Sequence, residues 1–283
     1  MSGDSRHNGM HSRAATVAAL GAFTLLAGCG DVAARTGRPA EQTYEGPLHV
    51  TRAEAMHPGA GAAGDVVDCA TWGGGGFSGE RVYDGGATAD MPAQALDVSH
   101  SEGGFGGVQT GLLVAKEENN RVLYVLEVEG VVKQAVIVHN GPATEGAGGS
   151  GWYVESWAHC DYSELPRTFT DSIGLQIWAG DDGRAAPTTK IESWTGPEHC
   201  DWQSMTFLNL GKAVYVRSPQ PDLADYFADP YEEHAVLPAD AVDTGFQRDG
   251  NHLWLSADKQ RAFVGSKPDV EVWPRTIQQL GCA

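Results

Sequence analysis

The stretch LLVAKEENNRVLYVLEVEGVVKQAVIV, residues 112–138, decides the fold. It contains three runs rich in Val, Leu, Ile and Tyr, residue types that favour β-strands: 112–115, 121–127 and 131–138. Glu129-Gly130 separates the last two runs and is suited to a tight hairpin turn. Because such short connections join antiparallel neighbours, the stretch predicts an antiparallel sheet.

The sequence on both sides extends this sheet and adds a helix. Asp90 and Pro92 precede good helix formers, which predicts a helix over Pro92–Ser99. After a Gly-rich loop, Trp152–Trp157 continues the β pattern. One helix on an antiparallel sheet is an α+β arrangement, so we assign residues 65–167 to an amino-terminal α+β domain.

The second half of the chain, residues 168–283, has the pattern of a nearly all-β domain. Short apolar runs alternate with local turn sequences such as Asp182-Gly183 and Asp249-Gly250. The first predicted strand is Ile173–Trp178, and Asp222–Phe227 is suited to one helical turn. Strands and turns this short again predict antiparallel pairing.

The amino terminus has the pattern of a targeting segment. Arg6 and Arg13 form a basic start, and the apolar run 14–28 is shorter than the ~20 residues that span a bilayer. The run ends in Leu26-Ala27-Gly28-Cys29, and the whole segment resembles a bacterial lipoprotein signal. The resemblance implies that a signal peptide, residues 1–28, is removed and that Cys29 carries fatty acyl chains such as palmitate. The chain would then be anchored on the outer face of the cytoplasmic membrane.

The residues after Cys29 have the composition of a linker. Residues 29–64 are rich in Ala, Gly, Pro, Glu and Thr, and Pro58–Gly64 is almost entirely Gly and Ala. We expect a flexible tether with a root-mean-square span of about 30 to 35 Å. Only Tyr44–Val50, which contains Leu48 and Val50, is suited to packing on the body that follows.

The charge balance excludes one class of partner. The chain has 37 acidic and 19 basic residues, a formal net charge of −18. Phosphate-backbone attraction therefore cannot drive binding, so we expect no nucleic-acid partner. The expected partners are the membrane, through the lipid on Cys29, and an envelope protein or glycan.

Four cysteines remain after Cys29, an even number that predicts two disulfides in an oxidising compartment. They are Cys69, Cys160, Cys200 and Cys282, which allow three pairings. We expect Cys69 with Cys160 and Cys200 with Cys282, because each bridge then lies within one half of the chain. The main alternative pairs Cys160 with Cys200.

A repeated phrase links the two halves. Val154-Glu155-Ser156-Trp157 is followed by His159-Cys160-Asp161, and Ile191-Glu192-Ser193-Trp194 by His199-Cys200-Asp201. This phrase, with the stretch Leu237–Trp254, resembles uncharacterised secreted and lipid-anchored proteins of high-GC Gram-positive bacteria, a resemblance that implies the compartment and no activity. Neighbouring strand residues point to opposite faces, so an adjacent His and Cys are poorly placed for one zinc ion. We expect no metal and no cofactor.

The matching carboxylates of the repeat are the candidates for catalysis. Glu155 and Glu192 would serve glycoside hydrolysis if their carboxyl groups were about 5 to 5.5 Å or about 6.5 to 9.5 Å apart. The sequence does not fix that distance. Gly74, Gly76 and Gly79 match a dinucleotide-binding spacing, but strand and turn residues follow, so we interpret them as a Gly-rich surface loop.

Aromatic residues are the candidates for ligand contact. Trp72 and Trp202 lie beside predicted loops and are the best placed of the eight tryptophans for the surface. The sequence thus favours a cell-envelope lipoprotein that acts as a non-catalytic binding or accessory module. The alternative is a glycan-directed envelope hydrolase that uses Glu155 and Glu192.

Overall fold

The fold is seen in a computed structural model, which describes residues 40, 43–78, 81–82, 87–101, 107–108, 110–143 and 145–281. The predicted signal peptide, Cys29 and Cys282 lie outside these residues. Antiparallel sheets dominate the described chain and helices are few, which confirms the prediction of a mostly antiparallel β protein.

The strands of the described residues are, in chain order, β1 (Trp72–Phe77), β2 (Arg81–Val82), β3 (Leu113–Glu118), β4 (Arg121–Val128), β5 (Val131–Pro142), β6 (Glu145–Gly146), β7 (Ser150–Cys160), β8 (Leu175–Gln176), β9 (Ala179–Gly180), β10 (Ile191–Thr195), β11 (Thr206–Leu210), β12 (Ala213–Arg217), β13 (Glu232–Val236), β14 (Val242–Arg248), β15 (Asn251–Leu255), β16 (Arg261–Ser266) and β17 (Asp269–Pro274). The helices are α1 (Pro92–Ser101) and α2 (Arg167–Ser172). Short 3-10 helices lie at Gly61–Asp65, Tyr162–Glu164, Glu198–Cys200 and Pro221–Tyr226.

The stretch 112–138 supplies three neighbouring strands of a five-stranded antiparallel sheet with the order β1-β7-β5-β4-β3. Glu129 and Gly130 have φ angles of 53° and 77°, and positive φ at both central residues is what a type I′ hairpin turn requires. The predicted hairpin is therefore confirmed.

Alternate residues of this sheet face two different layers. Val122 and Val136 lie in a core cluster with Leu96 of α1, so the predicted helix covers one face. Leu123 and Ile137, the next residues along the same strands, lie in a second cluster on the opposite face.

The second face is covered by residues 43–66, which we call the N-terminal strap. Leu48, Ala60 and Ala63 of the strap are almost completely buried against the sheet. Just before the strap, the amide of Ala40 donates to the carbonyl of Val114 on the edge strand β3 at 3.2 Å. The prediction of a flexible linker is wrong for this part of the chain, because its small residues serve close packing instead.

The glycines of β1 have the same role. The predicted surface loop is wrong here, since Trp72–Phe77 is an edge strand paired with β7. A Cβ atom added to Gly75 would lie 2.5 Å from the Cβ of Ala60 in the strap. Glycine therefore lets the strap and the strand approach each other closely. Gly79 lies outside the described residues.

The second half of the chain forms two further antiparallel sheets. One has the order β12-β11-β10-β8 and the other the order β13-β17-β16-β15-β14-β9. The strand predicted over Ile173–Trp178 is mostly wrong. Helix α2 ends just before it, Gly174 takes a left-handed φ of 72° that suits a helix end, and only Leu175–Gln176 pairs with β10.

The predicted division into domains at residues 167 and 168 is not confirmed. The described residues between Ala40 and Gly281 form one compact unit. Hydrogen bonds cross the expected boundary, for example from the Thr188 hydroxyl to the Asp161 carboxylate at 2.8 Å. The two halves are therefore joined by direct hydrogen bonds.

The disulfide between Cys69 and Cys160 is confirmed, and it joins residues 91 positions apart. Cys200 is also disulfide-bonded, and its expected partner Cys282 lies outside the described residues. Since Cys160 bonds to Cys69, the alternative pairing of Cys160 with Cys200 is excluded.

Candidate functional site

Glu155, the first candidate catalytic carboxylate, is held in a buried ion pair. Its side chain on β7 is only 3% exposed. Arg121 Nε donates to Oε2 at 2.6 Å and Arg121 Nη2 donates to Oε1 at 3.0 Å, while His49 Nδ1 lies 2.8 Å from Oε1. The carboxylate thus fastens the N-terminal strap to the sheet and is not presented to a substrate.

Glu192, the second candidate, lies on a different sheet with a different partner. It is on β10, where Asn209 Nδ2 donates to its Oε1 at 3.0 Å from the neighbouring strand β11. Among the described residues, Glu155 and Glu192 share no hydrogen-bond partner. The structure therefore provides no geometric argument for an acid and base pair made of these two groups.

The two tryptophans predicted to contact a ligand are engaged within the protein. Trp202 is 8% exposed and packs 5.8 Å from the ring of Phe207, so its predicted surface role is wrong. One face of Trp72 is covered by His57, whose ring stacks at 3.8 Å between centroids. Both indole rings contribute packing that the sequence alone did not reveal.

The two copies of the repeated phrase differ in structure after their shared tryptophan. His159 is buried at the end of β7, whereas His199 is exposed in the 3-10 helix Glu198–Cys200. Burial lowers the pKa of His159 below its ordinary value of 6.5, although its hydrogen bond to the carbonyl of Cys160 and the charge of Asp161 oppose the shift. The cysteines of both copies are used in disulfides, as predicted.

A cleft in the second half is a candidate site within the described part of the chain. It has a volume of about 510 Å³ and is lined by residues of both the four-stranded and the six-stranded sheet. Trp178 and Trp273 form part of its wall and are 2% and 5% exposed. The residues that line the cleft are Gln176, Trp178, Thr206, Arg217, Glu233, His234, Arg248, Asn251, Val264, Gly265, Ser266, Asp269, Val270, Glu271 and Trp273.

Several charged groups of the cleft are paired with one another. Arg217 on β12 donates to both carboxylate oxygens of Glu271 on β17, from Nε at 2.7 Å and from Nη2 at 2.8 Å. Trp273 Nε1 also donates to Glu271, at 2.8 Å. The hydrogen bond to the Glu271 carboxylate raises the pKa of the Arg217 guanidinium above its usual value. Partial burial acts in the opposite direction but is the smaller effect. This wall of the cleft is therefore a fixed, internally neutralised network.

The nucleophilic and basic groups of the cleft are not joined into a catalytic set. His234 Nδ1 lies 3.1 Å from the carboxylate of Asp269, an arrangement that resembles the orienting contact of a general base. The nearby hydroxyl of Ser266, however, donates to the carbonyl of Gly250 at 3.0 Å. In the described part of the chain no hydroxyl is hydrogen-bonded to His234, so the arrangement supports binding better than acyl transfer.

Sequence reasoning did not find this cleft, although a signal was present. Asp269, Glu271 and Trp273 alternate along one strand, so their side chains point to one face. Acidic groups beside an aromatic on the same face of a strand suggest a polar surface with an apolar floor. The partners of that face come from distant strands, which a single sequence does not specify.

Comparison with known proteins adds no further assignment. No protein-family model, no curated protein and no solved structure matches the chain. In the described residues, no three His, Cys, Asp or Glu side chains are grouped in a way that could hold a metal ion. None of the described helices is long and apolar enough to cross a membrane.

Proposed function

We propose that this protein is a lipid-anchored binding module of the bacterial cell envelope, held by acyl chains on Cys29 at the outer face of the cytoplasmic membrane. The observation that carries the binding role is the 510 Å³ cleft, whose size lies in the range of about 300–1,000 Å³ typical of ligand sites. Arg217 pairs with Glu271 and His234 lies beside Asp269, and in the described residues no hydroxyl of the cleft is hydrogen-bonded to that histidine.

The proposed compartment is supported by two independent features of the chain. The sequence Leu26-Ala27-Gly28-Cys29 follows a basic start and a short apolar run. The bond between Cys69 and Cys160 is of the kind that persists outside the reducing cytoplasm. Acyl chains on Cys29 would provide stable attachment, because two or more chains bind membranes far better than one.

The anchoring is tested with the full chain and its Cys29→Ala variant in a bacterial host that processes lipoproteins. We expect the wild-type chain in the membrane fraction and labelled by radioactive palmitate, and the variant unlabelled and released or unprocessed. Thr189→Ala, an exposed change elsewhere, serves as the control and should behave as wild type. A Cys29→Ala variant that stays membrane-bound at its normal mature mass would contradict the anchoring.

The non-catalytic role is tested by incubating the purified full chain with cell-wall polysaccharide and measuring the release of reducing sugar. We expect no release above that of a heat-treated sample. Release that disappears in Glu192→Gln would instead establish the hydrolase alternative. Glu192 is the better probe of the two carboxylates, because Glu155→Gln also breaks the buried ion pair with Arg121.

A further inference from the structure

We infer that the cleft binds a neutral glycan, an inference that rests on the proposed binding function and names its ligand class. A ligand in the cleft would meet slightly more negative than positive charge. Arg217 and Arg248 stand beside the carboxylates of Glu233, Asp269 and Glu271, so the formal charge of these five groups is −1 when His234 is neutral. An anionic ligand is therefore disfavoured, as it is by the chain's net charge of −18.

The two arginines of the cleft, which an anionic ligand would need, already have carboxylate partners. Arg217 directs two donors at Glu271, and Arg248 Nη1 lies 3.1 Å from the carboxylate of Asp249. A phosphate or carboxylate ligand would have to displace one of these acids before it could form a bidentate pair. Arg248 Nε has no hydrogen-bond partner among the described residues, but it is buried and is a single donor, so neither guanidinium group offers an open bidentate anion site.

Three polar side chains of the cleft remain available to a ligand. Glu233, Asn251 and Thr206 line the cleft, and their side chains have no hydrogen-bond partner among the described residues. They provide a carboxylate, an amide and a hydroxyl, which together accept and donate hydrogen bonds. Sugar hydroxyls also do both, so these groups match a polyhydroxylated ligand without requiring a charge on it.

The cleft is concave, and two tryptophan rings form part of its wall. The indole N–H of Trp178 donates to Ser193 at 3.0 Å and that of Trp273 donates to Glu271, so neither N–H needs a ligand. Their rings, with Val264 of the same core cluster, form an apolar wall beneath the polar rim. A concave site of this kind fits a short segment of a chain-like ligand better than the broad surface of a folded protein.

The experiment titrates the full chain by calorimetry with three tetrasaccharides: one of N-acetylglucosamine, one of glucose and one of galacturonic acid. We expect at least one of the two neutral tetramers to bind and the anionic one to bind at least tenfold more weakly. Glu233→Gln and Thr206→Val should each weaken the neutral complex roughly 3- to 10-fold, the effect of one lost hydrogen bond.

The matched control is Glu232→Gln, which removes the same charge from the same exposed strand outside the cleft. It should leave the affinity unchanged. Failure of both neutral tetramers to bind, or preferential binding of the anionic one, would overturn the inference. Equal weakening by Glu232→Gln and Glu233→Gln would place the glycan elsewhere on the protein and overturn it too.

Failure of glycan binding can be distinguished from failure of the proposed function. The cleft variants should remain in the membrane fraction, where the fate of the protein depends on Cys29. Suppose that the tetrasaccharides do not bind, but that a protein partner binds the wild-type chain and neither Glu233→Gln nor Thr206→Val. The glycan inference would then be wrong, and the proposed binding function would remain. If membrane attachment fails and the tetramers still bind, the anchoring alone is wrong.

Discussion

Asp161 is a buried carboxylate that joins the two halves of the chain. It accepts hydrogen bonds from the Ser163 amide and hydroxyl and from the Thr188 amide and hydroxyl, at distances of 2.6–3.1 Å. Burial alone would raise its pKa, but these donors outweigh burial and hold the pKa below its ordinary value of 3.8. The folded state therefore favours the ionised carboxylate.

The sign of the pH effect follows from this shift. In acid the unfolded chain binds the proton more readily than the folded chain, so the stabilisation is present above about pH 4 and is lost as the pH falls below it. We expect Asp161→Asn to lower the free energy of unfolding at pH 7 by about 1.5–3 kcal/mol, the range for hydrogen bonds to a charged group. The difference from wild type should shrink at pH 3, as measured by urea denaturation.

The repeated phrase supplies the control for this prediction. Asp201 occupies the matching place after Cys200, but it is exposed and its backbone is left-handed, with φ of 59°. Asn tolerates that conformation, so Asp201→Asn should change stability by less than about 0.5 kcal/mol. Equal losses for Asp161→Asn and Asp201→Asn would refute the structural role of Asp161.

At the level of elements, the contact between β1 and the N-terminal strap depends on glycine. A Cβ on Gly75 would approach Ala60 to 2.5 Å and the carbonyl of Trp157 to 2.8 Å, which forces the strap or the strand to shift. We expect Gly75→Ala to destabilise the protein by about 1–3 kcal/mol, the usual cost of overpacking. Thermal unfolding followed by circular dichroism would measure the loss.

Its neighbour Gly74 is the matched control, because the nearest atom to an added Cβ there is His159 Nε2 at 3.3 Å. Gly74→Ala should lower the free energy of unfolding much less than Gly75→Ala, because the added Cβ atom meets a milder contact. In both variants alanine also reduces the entropy of the unfolded chain. If both variants unfold at the same temperature, close packing of Gly75 against the strap is not what stabilises this layer.

The elements that the sequence predicted correctly are those defined by local signals. The hairpin at Glu129-Gly130 and the helix that begins at Pro92 depend on turn and capping residues that lie within a few positions of each other. The glycines of β1 and the alanines of the strap were misinterpreted, because the small residues of a flexible linker are also those of a close contact. Only the distant partner, Ala60 for Gly75, distinguishes the two uses.

In the candidate site, too, local features were predictable from the sequence and distant contacts were not. The strand that carries Glu271 and Trp273 was predictable from its alternation, but Arg217, 54 residues away, pairs with Glu271 only through the arrangement of the sheets. Glu155 was correctly placed on a strand, yet its partner His49 lies 106 residues away in a segment predicted to be a linker. Long-range pairs therefore decided which carboxylates were available to a ligand.

At the level of the whole molecule, the Cys69–Cys160 bond closes a loop that contains α1 and all five strands of the five-stranded sheet. In the chain-entropy account, a loop of this size stabilises the folded state by about 4–5 kcal/mol. We expect the double variant Cys69→Ala, Cys160→Ala to lose roughly that amount in urea denaturation. An unchanged midpoint would show that the bond is dispensable.

Mass spectrometry of non-reduced peptides checks the pairing that this prediction requires. We expect one linked peptide pair for Cys69 with Cys160 and a second for Cys200 with Cys282. A link from Cys200 to Cys29 would contradict both the second disulfide and acylation of Cys29. Native protein recovered with Cys69 and Cys160 reduced would contradict the oxidising compartment.

The incorporation of the strap into the body limits how far the protein could reach from the anchor proposed at Cys29. Ala40 is already bonded to the edge strand β3, so only eleven peptide steps separate it from Cys29. That distance is at most about 40 Å even when fully extended, close to one diameter of a body of this size. In the proposed acylated form, the body would therefore stay within a thin zone above the bilayer, and a glycan bound by the cleft would have to lie in that zone.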